Sequence, residues 1–247
     1  VSGGVRLFVT PKAGSDDAQC EDAVAAGEGA SPLRVAVADG ASASFGAAEW
    51  ARLLCGAWVD GTLTPEDLPD ALPTLGRRWR DAVLAEPLPW YAQERARGGA
   101  FAAFCGLTLG ADGAWTALAV GDCCLFQIRG GEELITAFPL SRPDDFSASP
   151  ALVGSLPAAN ANLAAHVRIG AGTAVPGDTF YLMSDALAAW FVRTHAAGRQ
   201  PWRWLESLGL PHAPAPFPEL VARLRAEQGL ANDDAALAVV PVTVAAP

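Results

Sequence analysis

Four groups of carboxylates stand where the chain turns. Asp39 closes the apolar run Val35-Ala36-Val37-Ala38, and Asp185 closes Phe180-Tyr181-Leu182-Met183-Ser184. Glu21 and Asp22 precede Ala23 to Ala26, and Asp233 and Asp234 precede Ala235 to Val240. In antiparallel pairing the start of one strand lies beside the end of its neighbour, so these points are expected to meet at one sheet edge. An acid at a strand end is ordinarily a solvated turn residue; the coincidence of four such placements sets these apart. Gathered carboxylates repel one another, and their pKa values rise unless a cation sits between them. An oxygen-only set without nearby His or Cys selects hard ions, Mg²⁺ or Mn²⁺, rather than Zn²⁺. Two such ions can lower the pKa of a water and aim it at phosphorus, so the chemistry expected is phosphate-ester hydrolysis.

Composition narrows the partners. The 247 residues carry 27 Asp+Glu against 17 Lys+Arg, a formal charge of −10. Sparse, scattered basic residues argue against a nucleic-acid groove, which needs clustered Lys and Arg to neutralise phosphates. The hydrophobic fraction of 51% comes largely from Ala and Val spread along the chain, ample for a core. No stretch of roughly 18 apolar residues runs free of charge or turn signals, and no basic segment precedes an apolar one at the start. The expectation is a cytoplasmic protein with no membrane partner. Cys20, Cys55, Cys105, Cys123 and Cys124 cannot all pair and show no C-x-x-C, which reads as buried reduced thiols. A thiol hydrolase built on Cys20 or Cys105 finds no local His signature.

The elements that must position the acids follow from periodicity. Strands are expected at 5–9, 22–26, 33–38, 100–109, 115–120, 125–129, 167–169, 179–184 and 235–244. Helical spacing covers Phe45 to Val59, with Ser44 as N-cap and Gly61 past the end. Further helices are expected at 70–85, 186–195 and 218–228, and the Pro-, Ser-, Ala- and Asn-rich stretch 141–162 as a long surface segment. Pro201-Trp202-Arg203-Trp204 could be core packing or a partner surface. Antiparallel strands with grouped helices and no long linker give one α+β domain over 1–247.

The blocks Glu21-Asp22, Val37-Ala38-Asp39-Gly40, Val120-Gly121-Asp122, Gly177-Asp178 with Leu182-Met183-Ser184-Asp185, and Asn232-Asp233-Asp234 resemble, in order, those of the metal-dependent type 2C protein serine/threonine phosphatases. The resemblance implies a four-layer αββα sandwich of two antiparallel sheets flanked by helices, with two Mn²⁺ or Mg²⁺ ions at one end. It implies that Glu21 and the Gly40 carbonyl hold one ion, Asp39 bridges both, Asp185 and Asp233 hold the other, and Asp22 orients water. Asp122 becomes the candidate for a third ion. The implied activity is hydrolysis of phosphoserine or phosphothreonine by a hydroxide held between the ions. The implied partners are a phosphoprotein substrate and a cognate Ser/Thr kinase.

The chain departs from the family at several positions. The phosphate-binding Arg expected four residues before Glu21 is Asp17, and Lys12 is the nearest basic candidate to replace it. Ala41 follows Gly40 where the family often has His or Met. Ala186, Ala189 and Ala236 replace a Gly, an acid and a hydroxyl residue. The alternative function is a pseudophosphatase, a regulatory or binding module with weak or no catalysis.

Overall fold

A computed structural model describes residues 4–27, 31–85, 87, 89–147, 149–211, 213 and 215–243. Its strands are β1 (Arg6–Thr10), β2 (Ala23–Ala26), β3 (Leu33–Gly40), β4 (Phe101–Leu109), β5 (Ala114–Val120), β6 (Cys124–Arg129), β7 (Glu133–Phe138), β8 (Val153–Gly154), β9 (Arg168–Thr173), β10 (Asp178–Met183) and β11 (Ala235–Pro241). Its helices are α1 (Ala47–Asp60), α2 (Leu68–Val83), α3 (Trp90–Arg97), α4 (Asp185–Ala196) and α5 (Phe217–Glu227). Val244, expected in the last strand, lies outside the described residues.

Two antiparallel sheets result. One runs β1-β11-β10-β6-β7; the other runs β2-β3-β4-β5-β9, with β8 beside β4. Period-two alternation sorts each strand between two layers. In β3, Val35 and Val37 face the other sheet and pack near Cys105, Leu107, Leu125 and Phe180. Ala36 and Ala38 face outward and are covered by Trp50, Leu54 and Trp58 of α1 and by Trp79 of α2. On the opposite side, Trp190 and Phe191 of α4 and Leu220 and Leu224 of α5 cover Phe126, Tyr181, Leu237 and Val239. The layers are therefore helix, sheet, sheet, helix, as the resemblance implied.

Trp58 fixes α1 to its sheet. The ring is fully buried, its Nε1–H donates to the Leu107 carbonyl (3.0 Å), and Phe104 meets it edge-on at 5.7 Å. Gly106 leaves room for the ring, since a Cβ there would meet Trp58 Cε2 at 2.4 Å. Trp58→Ala is expected to cost about 3–5 kcal/mol, measured as a lower urea midpoint with an unchanged slope.

Several boundaries differ from the sequence reading, each for a local reason. Gly46, at φ 67°, caps α1 instead of Ser44, whose hydroxyl bonds the Ala41 carbonyl (2.8 Å) and accepts from the Phe101 N–H (3.2 Å). β7 was not anticipated because it is an edge strand, half exposed, with an irregular register opposite Gln127 and Ile128. α3 carries mostly charged and polar side chains, so no apolar stripe marks it. Trp202 is buried, donates to the Gly131 carbonyl (2.8 Å) and packs near Phe191, so it belongs to the core and not to a partner surface. All five cysteines are buried and free.

Candidate functional site

The acids gather at one end of the sandwich, but from two sheets instead of one edge. In the second sheet, Ala23 pairs with Ala38, which sets Asp22 beside Asp39. In the first, Met183 pairs with Leu237, which sets Asp185 near Asp233 and Asp234. Asp122 arrives on the Gly121–Cys123 link where the chain crosses from β5 in one sheet to β6 in the other. Stacking the sheets, not pairing one edge, closes the cluster.

Gly40 permits this closeness. Its N–H donates to the Glu21 carbonyl (3.2 Å), and a Cβ at Gly40 would stand 2.7 Å from that oxygen and 2.9 Å from the Ala47 carbonyl carbon. The β2 entry, the β3 exit and the start of α1 therefore meet over a residue with no side chain.

Burial and mutual repulsion set the protonation. Burial pushes Asp39 up to about 10, with Asp22, Asp185 and Asp122 adding to the rise. Asp22 is raised well above the carboxylate range by burial, against a hydrogen bond from Ser184 that lowers it and the charges of Asp185, Asp234 and Asp233 that raise it. Burial likewise raises Asp185, with Asp233 adding to it, and brings Asp122 to about 6. Two like charges 4 Å apart repel by about 4 kcal/mol in a partly buried setting, so these groups cannot all ionise without a counter-charge. Asp39 resolves the conflict by donating a hydrogen bond to Asp185. No three Asp, Glu, His or Cys side chains surround a common point among the described residues.

Two residues of the quoted motifs, Ser184 and Asp234, organise the cluster in ways that sequence reasoning did not assign to them. Ser184 is fully buried; its hydroxyl accepts the Ala236 N–H (2.9 Å) and bonds to Asp22, linking the two sheets beneath the acids. Its place directly before Asp185 was the available signal. Asp234 is buried and accepts the N–H of Lys12 and the N–H of Glu21, each at 2.8 Å. It ties the chain after β1 and the chain before β2 to the start of β11. Asp234→Ala is expected to destabilise the fold by about 2–4 kcal/mol, since it strips the charged acceptor from two backbone donors. Chemical denaturation with and without Mn²⁺ would measure that loss together with weaker metal stabilisation.

Asp39, Asp122 and Asp185 line a cleft of about 500 Å³, with Ser42, Ser147 and Ser149 around its rim. No Lys, Arg or His lines it among the described residues. Glu21 is half-buried and Asp233 exposed at the same end of the sandwich. Lys12 is half-buried, held by its own N–H on Asp234, and does not line the cleft; Asp17 is exposed in a 3-10 turn. Asp178, part of a quoted motif, lies at the other end of β10. It is fully buried and paired with Arg129 (3.0 Å), and it accepts from Gln127 and from the Val175 N–H.

The donor set suits a hard divalent cation. Every side-chain donor is a carboxylate oxygen, Asp22 Oδ2 is buried with no hydrogen-bond partner among the described residues, and the raised pKa values mean that the ionised carboxylates lack a compensating positive charge.

Solved structures share this architecture. The photosystem II phosphatase PBCP aligns at TM-score 0.57 and 16% identity, over 98% of this chain and 99% of that one. The Mycobacterium tuberculosis serine/threonine phosphatase PstP/Ppp aligns at 0.56 and 18%, over 98% and 100%. The PstP catalytic domain in complex with two manganese ions aligns at 0.56 and 18%, over 97% and 98%. A search of curated protein sequences found no significant match. The family model for protein phosphatase 2C matches residues 11–238, from just after β1 into β11 and across every acid of the cluster. With its two-sheet sandwich and carboxylate-lined end, the chain belongs to the protein phosphatase 2C family.

Proposed function

We propose that this chain, acting as one domain over 1–247, is a metal-dependent phosphatase of phosphoserine and phosphothreonine in proteins. The observation that carries the reading is the meeting of buried carboxylates from both sheets beside an open cleft, with Asp39 raised to about 10 by burial and by its neighbours. Asp39, Asp185, Asp233, Glu21 and the Gly40 carbonyl are the groups that would hold two Mn²⁺ or Mg²⁺ ions, with Asp122 as a further ligand. Bound there, the ions supply Lewis acidity toward water and toward the phosphoryl oxygens. Binding requires Asp39 to give up its proton, so it releases protons and strengthens as pH rises.

The chain's own residues set the rest. Asp22, bonded to Ser184 and set beside Asp39, would orient water at the site. Ser42, Ser147 and Ser149 line the cleft and supply hydroxyls that could donate to phosphate oxygens, a role that Asp17, at the family's arginine position, cannot fill. Ala41 stands where the family often has His, and no His lines the cleft among the described residues, so solvent would supply the proton for the leaving alkoxide. The substrate would come from a Ser/Thr kinase sharing the same compartment, the cytoplasm.

The test is phosphate release from p-nitrophenyl phosphate and from a phosphothreonine peptide. Mn²⁺-dependent turnover on both is the expected result. Turnover unaffected by EDTA would overturn the reading, and no turnover on either substrate despite calorimetric Mn²⁺ binding would establish the regulatory alternative.

A further inference from the structure

Among the described residues the cleft that holds the acids offers a phosphoprotein no cationic side chain, yet a groove flanked by arginines lies next to it. A depression of about 530 Å³ between α2 and α3 has an apolar floor of Trp79, Val83, Leu84 and Leu156, flanked by Arg80 and Arg97. Arg77, Arg78, Arg80, Arg95 and Arg97 place five of the chain's 17 basic residues within 21 positions, all of them exposed, so the basic residues are less scattered than the composition suggested. Arg97 has an exposed pair with Glu94 (2.7 Å), whereas Arg80 has no carboxylate partner among the described residues.

Groove and cleft share two walls. The loop after β3 lines the cleft with Ala41, Ser42 and Ala43 and then reaches Gly46, whose carbonyl accepts the Trp79 Nε1–H (3.0 Å). A Cβ on Gly46 would meet Val83 Cγ2 at 2.9 Å, so this loop rests directly on the groove floor. The segment through β8 does the same from the other side, with Leu152 on the cleft and Leu156 on the groove. Two residues, Ser44 and Phe45, lie between Ala43 and Gly46, a span of three steps and at most about 11 Å of chain. A peptide in extended form would cross from one depression to the other in roughly four to eight residues.

We infer that the groove between α2 and α3 binds an acidic segment of the phosphoprotein substrate, about four to eight residues from the phosphorylated side chain. The charge argument selects this occupant. A protein of net charge −10 repels acidic peptides on the whole, whereas this groove is flanked by Arg97 and by Arg80, which has no carboxylate partner among the described residues, and its apolar floor also accommodates side-chain stems. Assigning the segment to the enzyme's own substrate rests on the phosphatase reading above.

The experiment compares two phosphoserine peptides, one carrying four Glu residues centred six positions from the phosphoserine and one carrying Ala there, with p-nitrophenyl phosphate as a control. For the wild type with Mn²⁺, KM for the Glu peptide is expected to be about three- to tenfold lower than for the Ala peptide. The double variant Arg80→Gln, Arg97→Gln should erase that difference while leaving p-nitrophenyl phosphate turnover within about twofold. Raising NaCl to 0.5 M should narrow it in the wild type. Equal KM values for the two peptides in the wild type, or a difference that survives the double variant, would overturn the inference. Should the wild type turn over none of the substrates, the phosphatase reading fails on its own, and fluorescence anisotropy of the labelled peptides then decides the groove. Tighter binding of the Glu peptide that depends on Arg80 and Arg97 upholds it, and equal binding of the two sinks it.

Discussion

Asp39→Asn is expected to lower Mn²⁺-dependent phosphate release by about a thousandfold or more, the scale of losing one electrostatic contributor in a preorganised site. The same variant is expected to be more stable than the wild type when both are held in EDTA. The two effects share one cause. Asp39 is raised to about 10 by burial and by Asp22, Asp185 and Asp122, so at neutral pH it is a group the fold holds against its ordinary ionisation. The amide keeps the shape and the hydrogen bond toward Asp185 and cannot ionise, so it relieves the conflict and forfeits the proposed metal ligand. Thermal unfolding alongside p-nitrophenyl phosphate kinetics would measure both. A variant that lost activity and stability together would mark Asp39 as an ordinary structural residue.

The second large effect is a pH dependence that divalent ions reverse. Asp39, Asp22, Asp185 and Asp122 have folded-state pKa values above their unfolded ones. Above pH 4 the unfolded chain releases these protons while the folded chain retains them. The stability they contribute is therefore complete below about pH 4 and is lost as pH rises through about 6 for Asp122 and about 10 for Asp39. Asp178 works in the opposite sense: its pairing with Arg129, and its bonds from the Val175 N–H and Gln127, hold it below the usual range despite burial, and that contribution is lost only in acid. In EDTA, the melting temperature is expected to fall between pH 5.5 and 9. Saturating Mn²⁺ binds the ionised carboxylates of the folded state, so the Mn²⁺-induced rise in melting temperature should grow over the same interval. A ligand present at 100 times its dissociation constant stabilises by about 2.7 kcal/mol, a shift of several degrees in a chain of this size. A Mn²⁺ effect that shrank with rising pH would contradict the carboxylate assignment.

The layers and most of the strands were legible because burial imposes simple periods. Val35-Ala36-Val37-Ala38 alternates between two cores, and α1 repeats its tryptophans toward one sheet. β7 and α3 were illegible because neither buries a continuous apolar face. The acids could be located at strand ends from sequence, but their assignment to two sheets could not. Strand order depends on which strands pair, and the β5 to β6 step changes sheet at Gly121-Asp122-Cys123 without any change in local pattern. The bonding roles of Ser184 and Asp234, both named in the sequence motifs, were illegible for a related reason. Their work is to bond backbone and carboxyl groups brought in from sequence positions far from their own, Asp22 and Ala236 for Ser184 and Lys12 and Glu21 for Asp234. Asp178 shows the converse: a motif acid whose surroundings, Arg129 and Gln127, give it a structural part away from the cleft.

The central claim is that carboxylates from the two sheets jointly hold divalent cations at the cleft. A crystal grown with Mn²⁺ and measured at the manganese absorption edge tests it most directly. The account predicts two anomalous peaks flanking the Asp39 carboxylate, one toward Glu21 and one toward Asp185. An anomalous map without a peak between Asp39 and Asp185, from protein whose turnover in the same buffer depends on Mn²⁺, would contradict it.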